Sequence, residues 1–338
     1  MKPLSSEVYN LGDECRKQIA ATAPGFLNQL KGLTVVDITG IDTSRTRVVA
    51  TLIHGNEPSG FIASHLWLLS GQVPTTNVRI LFCNPEAAQQ KPIFTRRYIG
   101  DCEDLNRYFG DIKQPDETVT LRANLIKREI AAVKPEAIID LHNTSGLSPA
   151  FGVSAVDCPG VRELTGLFAP MQIYTDIRVG ALMEQVFDAP IVTIECGGAN
   201  EIMSHQVATD GLKTYFTLEN LFERQRDVSI HRHPIRMELT GDASVGFASH
   251  RLLSTDITFI PDIEQFNRQP TPRGEFLGWY HGDDPLPLRA MDHQGVDQIN
   301  NVLTVEGGRI YTCKPMQMFM ATTNQEIATN DCVTYLTI

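Results

Sequence analysis

The stretch His54-Gly55-Asn56-Glu57 places an imidazole and a carboxylate three residues apart, directly after the apolar segment 47–53. If that segment is a buried strand, both side chains leave the turn at its end. Such a turn can direct a histidine nitrogen and a carboxylate oxygen at one point, as a tetrahedral zinc site requires. The pattern is a weak signal when it occurs alone, so its interpretation depends on the polar residues farther along the chain.

Two more polar residues end apolar runs, namely His142 in Asp140-Leu141-His142-Asn143-Thr144 and Glu195 in Thr193-Ile194-Glu195-Cys196. Two histidines with one carboxylate leave a fourth position for water, which is the ligand count of a catalytic zinc site. A carboxylate outside the ligand set can take a proton from that water and pass it to a leaving group. Glu195 is the candidate for this role. The alternative is a pair of hydrogen-bonded histidines and a buried acid paired for structure.

A basic segment lies between the two histidine motifs and contains Arg96, Arg97, Asn106 and Arg107. The guanidinium group of arginine matches a carboxylate with two parallel hydrogen bonds. Asn106 with Arg107 is therefore a plausible carboxylate clamp, and an upstream arginine could stabilise charge on a carbonyl oxygen. The alternative is a solvated basic face.

These groups must be positioned by strands that alternate with helices. The predicted strands of the first part of the chain are 33–38, 47–53, 78–83, 136–141, 171–175 and 190–195. The predicted helices are 5–20, 58–71, 118–133, 159–168 and 208–225. This order predicts an α/β fold with a mostly parallel mixed sheet flanked by helices. Because such sheets bind ligands at the carboxyl ends of their strands, the three motifs are expected at one edge.

The pattern changes near residue 226, after which short segments punctuated by Gly and Pro predict a β-rich region. Its predicted strands are 250–260, 275–280, 301–305, 308–313, 316–321 and 332–338. We expect a catalytic domain at 1–228 and a smaller β-rich domain at 229–338 that borders the active-site channel.

Composition excludes several classes of partner. The chain has 338 residues and a net charge of −11, and it offers no basic cluster for a nucleic-acid backbone. No apolar stretch approaches the roughly 20 residues that span a bilayer. The seven cysteines are scattered without a C-x-x-C pair, which predicts reduced thiols and a cytoplasmic protein. A homo-oligomer is compatible with the sequence but cannot be inferred from it.

Together, the motifs H-G-N-E, D-L-N-R-x-F, D-L-H-N-T and I-E-x-G resemble, in this order, the aspartoacylase/succinylglutamate desuccinylase family. That family is a branch of the zinc carboxypeptidase superfamily, and the resemblance covers roughly residues 45–225. It implies a zinc-dependent amidohydrolase that cleaves the amide bond of a small anionic N-acyl amino acid with zinc-activated water, and one Zn²⁺ per chain.

The resemblance also implies roles for individual residues. The zinc ligands would be His54, Glu57 and His142, with Glu195 as general acid and base. Arg97 would polarise the scissile carbonyl, although Arg96 remains an alternative because the following segment is about two residues longer than in aspartoacylases. Asn106, Arg107 and Arg178 are implied to bind the substrate. Asp104 is implied to form a hydrogen bond with a zinc-ligating histidine.

The acyl-transfer residues look complete, whereas the residues that would recognise an aspartate side chain look altered. An N-acyl amino acid other than N-acetylaspartate is therefore expected as substrate. Two other functions stay open, namely a metallocarboxypeptidase that acts on peptide C-termini and a zinc-containing binding protein without activity. The sequence does not separate zinc from other divalent ions.

Overall fold

A computed structural model describes residues 4–100, 102–110, 116–282 and 285–338. The chain divides into two compact units. The first comprises the residues up to Asn143, with Ala150–Gln172 and Ile177–Ile230. The second comprises Thr144–Pro149, Ile173–Asp176 and His231–Ile338. Among the described residues, no helix is long and apolar enough to cross a membrane.

The helices of the first unit flank a large sheet. They are α1 (Ala23–Gln29), α2 (Ser59–Ser70), α3 (Pro85–Ala88), α4 (Glu117–Ala131), α5 (Pro159–Thr165) and α6 (Ile202–Thr217). Short 3-10 helices cover Asp13–Lys17, Leu105–Arg107 and Leu182–Glu184. The strands up to residue 232 are β1 (Val8–Leu11), β2 (Leu33–Ile38), β3 (Asp42–Thr51), β4 (Thr76–Phe82), β5 (Ala137–Thr144), β6 (Phe151–Ser154), β7 (Met171–Tyr174), β8 (Ile191–Gly198) and β9 (Ser229–Arg232).

The sheet is mixed, and its order is β1-β2-β4-β3-β5-β8-β6-β7-β9. Strand β3 runs parallel to both β4 and β5, whereas β2 and β4 are antiparallel, as are β6 and β8. Alternate residues of the central strands enter two apolar clusters. Val49 and Ile139 pack into one cluster with α2 and α6, and Val48 and Ile138 pack into the other with α4. Burial on both faces explains why these strands are almost wholly apolar.

The second unit is β-rich and has its own apolar cluster, which includes Phe259, Ile310 and Leu336. Its strands from residue 235 are β10 (Ile235–Leu239), β11 (Val245–Phe247), β12 (Ile257–Phe259), β13 (Phe276–Tyr280), β14 (Leu288–Met291), β15 (Leu303–Glu306), β16 (Arg309–Thr312), β17 (Gln317–Phe319) and β18 (Thr334–Thr337). They form two sheets, with the orders β14-β10-β18-β17 and β11-β12-β13-β16-β15. Its helices are the 3-10 helix Ile263–Asn267, α7 (Ile299–Val302) and α8 (Gln325–Asn330).

The predicted α/β architecture with a β-rich region is confirmed. Three predicted elements were wrong in extent or type. The predicted helix at 5–20 is instead strand β1 followed by a short 3-10 helix. Where a helix is predicted at 208–225, the structure has helix α6 at Ile202–Thr217. Where a strand is predicted at 250–260, only Ile257–Phe259 forms a strand.

Candidate metal centre

Three neighbouring strands in the middle of the sheet bring the predicted site residues together. Strands β3, β5 and β8 are consecutive in the sheet order. His54 follows the end of β3 at Thr51, while His142 lies near the end of β5 and Glu195 lies on β8. The parallel pairing of β3 with β5 places the two histidines at the same edge.

The turn that carries His54 and Glu57 has a tightly constrained backbone. Leu52, directly after β3, has a left-handed conformation with φ 55°, which a non-glycine residue rarely adopts. A Cβ at Gly55 would lie 2.4 Å from the backbone nitrogen of Ala88, so only glycine fits there. The Gly55 N–H donates to the carbonyl of Arg97 at 2.9 Å. The turn is thus fixed against the segment that carries the candidate arginine.

The donor atoms of His54, Glu57 and His142 converge on one buried region, where all three lie within 4.8 Å of one another. The Nδ1 atom of His54 lies 2.8 Å from one carboxylate oxygen of Glu57. The Nδ1 atom of His142 lies 2.7 Å from the other. The two histidine rings meet edge to face with centroids 4.8 Å apart. This is the arrangement of groups that a single divalent cation could link.

Each histidine is oriented by a second carboxylate on its far nitrogen. The Nε2 atom of His54 donates to Asp104 at 2.9 Å, and the Nε2 atom of His142 donates to Asp140 at 3.0 Å. Such carboxylate partners fix the ring orientation and raise the basicity of a histidine that binds metal. The family resemblance implies this role for Asp104, whereas no prediction from the sequence included Asp140.

Asp140 could have been found from the spacing D-x-H alone. Residues i and i+2 of a strand project to the same face, so Asp140 and His142 lie side by side on β5. The Asp140 side chain is fully buried and also accepts a hydrogen bond from the hydroxyl of Thr193 at 3.1 Å. Its partners therefore come from the two strands that carry His142 and Glu195.

The residues present fit a zinc ion. The Nδ1 atom of His54 is buried and faces the Glu57 carboxylate at 2.8 Å. A proton on Nε2, where Asp104 can accept it at 2.9 Å, would leave the Nδ1 lone pair free to bind a metal ion. Two imidazoles and a carboxylate, each with an Nδ1 or oxygen donor facing the same point, are the donor set of catalytic zinc sites.

The charges of the cluster compensate one another. Burial alone would raise the pKa of Glu57, but His54 and His142 hold it well below its usual range. Burial alone would lower the pKa of His142, but Asp140 and Glu57 hold it well above its usual range. The charges of His142, Glu57 and Asp140 therefore stabilise one another within the cluster. Since a histidine must be deprotonated to bind a metal ion, metal affinity at such a site would depend on pH.

Arg97, rather than Arg96, contacts the cluster. Its Nη1 atom donates to Glu57 at 3.0 Å, and its Nε and Nη2 atoms donate to Asp104 at 3.1 Å and 3.0 Å. Arg96 is exposed. The Arg97 side chain is 32% exposed, and its guanidinium bridges Glu57, a candidate ligand, and Asp104, the carboxylate that orients His54. Of the two candidate arginines, Arg97 is therefore the one whose side chain borders the cluster.

Glu195 lies on the strand next to His142, and its side chain is partly exposed. Its Oε2 atom is buried and has no hydrogen-bond partner among the described residues. Burial, together with the nearby charge of Glu57, raises the pKa of Glu195 to about 7. A carboxylate with this pKa and an unpartnered oxygen can accept and return a proton near neutral pH.

The candidate clamp is held by a loop that reaches it from residues 178–182. Asn106 is buried, and its Oδ1 atom accepts a hydrogen bond from the N–H of Leu182 at 3.0 Å. Gly180 has φ 81°, and a Cβ there would lie 2.3 Å from the carbonyl oxygen of Arg107. The guanidinium of Arg178 donates to the carbonyl of Ala155 at 3.2 Å, just after β6. The loop thus contacts the segment of Asn106 and Arg107 through Leu182 and Gly180, while the exposed Arg178 is assigned to substrate only as a prediction.

Comparison with known proteins identifies the family and the fold of the chain. The profile described as the succinylglutamate desuccinylase/aspartoacylase catalytic domain matches residues 44–221. No curated protein sequence matches the chain. Among solved structures, a succinylglutamate desuccinylase from Vibrio parahaemolyticus superposes with a TM-score of 0.59 at 14% identity, covering 94% of this chain and 95% of that chain.

Two further structures show the same fold. A succinylglutamate desuccinylase/aspartoacylase from Rhodobacter sphaeroides has a TM-score of 0.55 at 15% identity, with 90% of this chain and 87% of that chain covered. A putative member from Shewanella frigidimarina has a TM-score of 0.57 at 10% identity, with 90% and 91% covered. Because the family profile spans just over half of the 338 residues, the chain belongs to the succinylglutamate desuccinylase/aspartoacylase family.

Proposed function

We propose that this protein is a zinc-dependent hydrolase that cleaves the amide bond of an N-acyl amino acid. The observation that carries the proposal is the convergence of His54, Glu57 and His142, whose donor atoms lie within 4.8 Å of one another in a buried cluster. Membership of the family supports the reaction class. When bound, zinc would polarise a carbonyl oxygen and lower the pKa of a water molecule towards about 7.

Glu195 acts as the general base and then as the general acid. It takes a proton from the attacking water and gives it to the nitrogen of the departing amino acid, which leaves as a neutral amine. The buried and unpartnered Oε2 atom and the pKa of about 7 support this role, because both directions of transfer are accessible near neutral pH. Water attack and amine protonation therefore need only one residue.

Arg97 stabilises the negative charge that develops on the carbonyl oxygen of the scissile amide. Three hydrogen bonds, two to Asp104 and one to Glu57, fix its guanidinium before substrate binds. A donor that is already oriented loses little entropy in the transition state, and this is the basis of oxyanion stabilisation.

Asn106 and Arg107 hold a carboxylate of the substrate. The Oδ1 atom of Asn106 is engaged by Leu182, which orients the amide so that its Nδ2 donors can serve a ligand. Arg107 supplies the matching positive charge in a protein whose net charge is −11. Arg178 lies on the loop that contacts this segment and is proposed to bind another part of the substrate.

We assign the chemistry to the chain up to residue 228, and treat 229–338 as a separate β-rich domain. The cytoplasm is the proposed compartment, because all seven cysteines are free thiols.

A panel of N-acetyl, N-succinyl and longer N-acyl amino acids, assayed on the zinc-loaded protein, tests the proposal. We expect hydrolysis of at least one member. The Glu195→Gln variant should keep stoichiometric zinc and lose at least about 1,000-fold in kcat. Glu201→Gln, which changes an acid after the same strand, is the matched control and should keep full activity. Release of C-terminal residues from peptides, with no action on the panel, would instead indicate a carboxypeptidase.

A further inference from the structure

Asn143, the residue after His142, occupies a central position in the hydrogen bonding around the cluster. Its backbone N–H donates to the Oε2 atom of Glu57 at 3.1 Å. Its Oδ1 atom accepts from the N–H of Ser59 at 3.0 Å. Its Nδ2 group donates to the hydroxyl of Ser59 at 2.8 Å and to the carbonyl of Gly197 at 2.9 Å. The residue is only 3% exposed, so these bonds form away from water.

The arrangement requires an amide side chain. Asparagine offers one acceptor oxygen and two N–H donors, and all of them have partners here. An aspartate at this position would place a carboxylate oxygen against the carbonyl of Gly197, two acceptors with no proton between them. An alanine would leave the carbonyl of Gly197 and the N–H of Ser59 without these partners, and an unpaired buried polar group costs about 1–3 kcal/mol.

The partners of Asn143 belong to two segments that carry candidate catalytic groups. Ser59 begins α2 and lies two residues after Glu57. Gly197 lies two residues after Glu195 on β8 and has φ 106°, a conformation that favours glycine. A single side chain therefore links the turn of a candidate metal ligand to the strand of the candidate base.

The network continues to α6. The hydroxyl of Ser59 lies 2.8 Å from the Nδ1 atom of His205. Since that hydroxyl already accepts from Asn143, its own proton is available to His205. Burial lowers the pKa of His205, which favours its neutral form. His205 thus anchors the far end of the network, and its Nδ1 atom is committed to Ser59.

We propose that Asn143 is a positioning residue, which sets the distance between the metal-binding turn at Glu57 and the strand end that carries Glu195. This inference rests on the proposed function for its catalytic consequence. Its structural content, the placement of Glu57, is independent of the substrate. The residue does not contact the reacting atoms itself; it acts through Glu57 and through the segment 195–197.

The Asn143→Asp variant tests this proposal with three measurements. These are the zinc affinity by competition with a chelator, the visible spectrum of the cobalt(II)-loaded protein, and kcat and KM separately. We expect a zinc affinity about 10-fold lower, an altered cobalt spectrum, and a kcat about 100-fold lower with KM within about threefold, because small misplacements of reacting groups cost rates of this order. Ser59→Ala, a milder change, should shift the same quantities less.

The control is Gln172→Ala, which removes another buried amide of the same unit, one that accepts from Thr165 at 3.0 Å. It should lower the melting temperature while kcat, zinc affinity and the cobalt spectrum stay at wild-type values. If Asn143→Asp keeps those three at wild-type values, or if Gln172→Ala changes them equally, the positioning role is refuted. Should the wild-type protein bind zinc yet hydrolyse nothing, the proposed function fails, and the affinity and spectrum alone decide the role of Asn143.

Discussion

The Nε2 atom of His142 lies 3.0 Å from a carboxylate oxygen of Asp140, two residues earlier on the same strand. The carboxylate is fully buried, and its other oxygen has no hydrogen-bond partner among the described residues. A buried charge of this kind is costly unless a nearby positive charge compensates it. In this cluster the His142 ring, whose pKa Asp140 and Glu57 hold well above its usual range, supplies that compensation.

The Asp140→Asn variant should therefore bind zinc about 10- to 100-fold more weakly than the wild type. The amide keeps the size of the side chain but no longer supplies the negative charge that makes His142 a basic ligand. Competition with a chromophoric chelator measures the affinity. Asp37→Asn, which changes a half-exposed carboxylate paired with Arg79 at 2.7 Å, is the control and should leave the affinity unchanged. Equal affinities for Asp140→Asn and wild type would contradict the role.

The central strands could be predicted from the sequence because burial on both faces makes them apolar throughout. The predicted strand at 33–38 coincides with β2, and the predicted strand at 136–141 differs from β5 mainly at its end. The candidate ligands could be located for a related reason. A polar residue that ends an apolar strand stands out, and neighbouring parallel strands bring such ends together.

Elements that depend on distant partners could not be predicted in this way. Apolar residues at 4, 8, 11 and 15 have helical spacing, yet Val8–Leu11 pairs with Leu33–Val36 as a parallel edge strand. Helix α6 ends at Thr217, where the guanidinium of Arg47 binds the carbonyl of Leu218 at 2.7 Å. Neither partner is near in sequence. The choice between Arg96 and Arg97 likewise depended on side-chain direction in a loop, where no periodic pattern indicates which side chain faces the site.

Arg97→Ala should lower kcat/KM by about 100- to 1,000-fold, the usual effect of removing an oxyanion donor. Arg96→Ala is the matched control, because this substitution removes an equal charge from an exposed side chain one residue away. It should change kcat/KM by less than about twofold. Steady-state kinetics on the best substrate of the panel measures both, with zinc content determined in parallel since Arg97 also contacts Glu57. Comparable losses in the two variants would show that only the net charge of the segment matters.

Glu195→Gln should stabilise the metal-free protein at pH 8. Burial and the charge of Glu57 raise the pKa of Glu195 to about 7 in the folded state, against about 4.3 for an unfolded chain. As the pH rises, the unfolded chain therefore loses the Glu195 proton at a lower pH than the folded protein does. The resulting destabilisation of the wild-type fold is absent below about pH 4, grows as the pH rises, and is complete above about pH 7. Because glutamine does not titrate, the Glu195→Gln variant lacks this destabilisation. Melting temperatures of the metal-free proteins should differ most at pH 8 and converge towards pH 4.5. A constant difference across this range would exclude the titration of Glu195 as its cause.

Gly55→Ala should disturb the metal centre through the backbone alone. The new Cβ would lie 2.4 Å from the nitrogen of Ala88 and 2.6 Å from the carbonyl carbon of Ala87, so the turn must move away from α3. Overpacking of this kind costs about 1–3 kcal/mol, and it displaces His54 and Glu57 together. We expect a lower melting temperature and weaker zinc binding.

A matched substitution separates the local effect of Gly55→Ala from general crowding. In Gly160→Ala the new Cβ would meet only side-chain atoms of Pro190, at 3.2 Å and 3.3 Å, and Phe222, at 3.6 Å. Alanine also has a better helix propensity than glycine within α5. Zinc affinity in this variant should equal that of the wild type. If Gly55→Ala binds zinc as tightly as Gly160→Ala does, the close approach of the turn to α3 does not position the ligands.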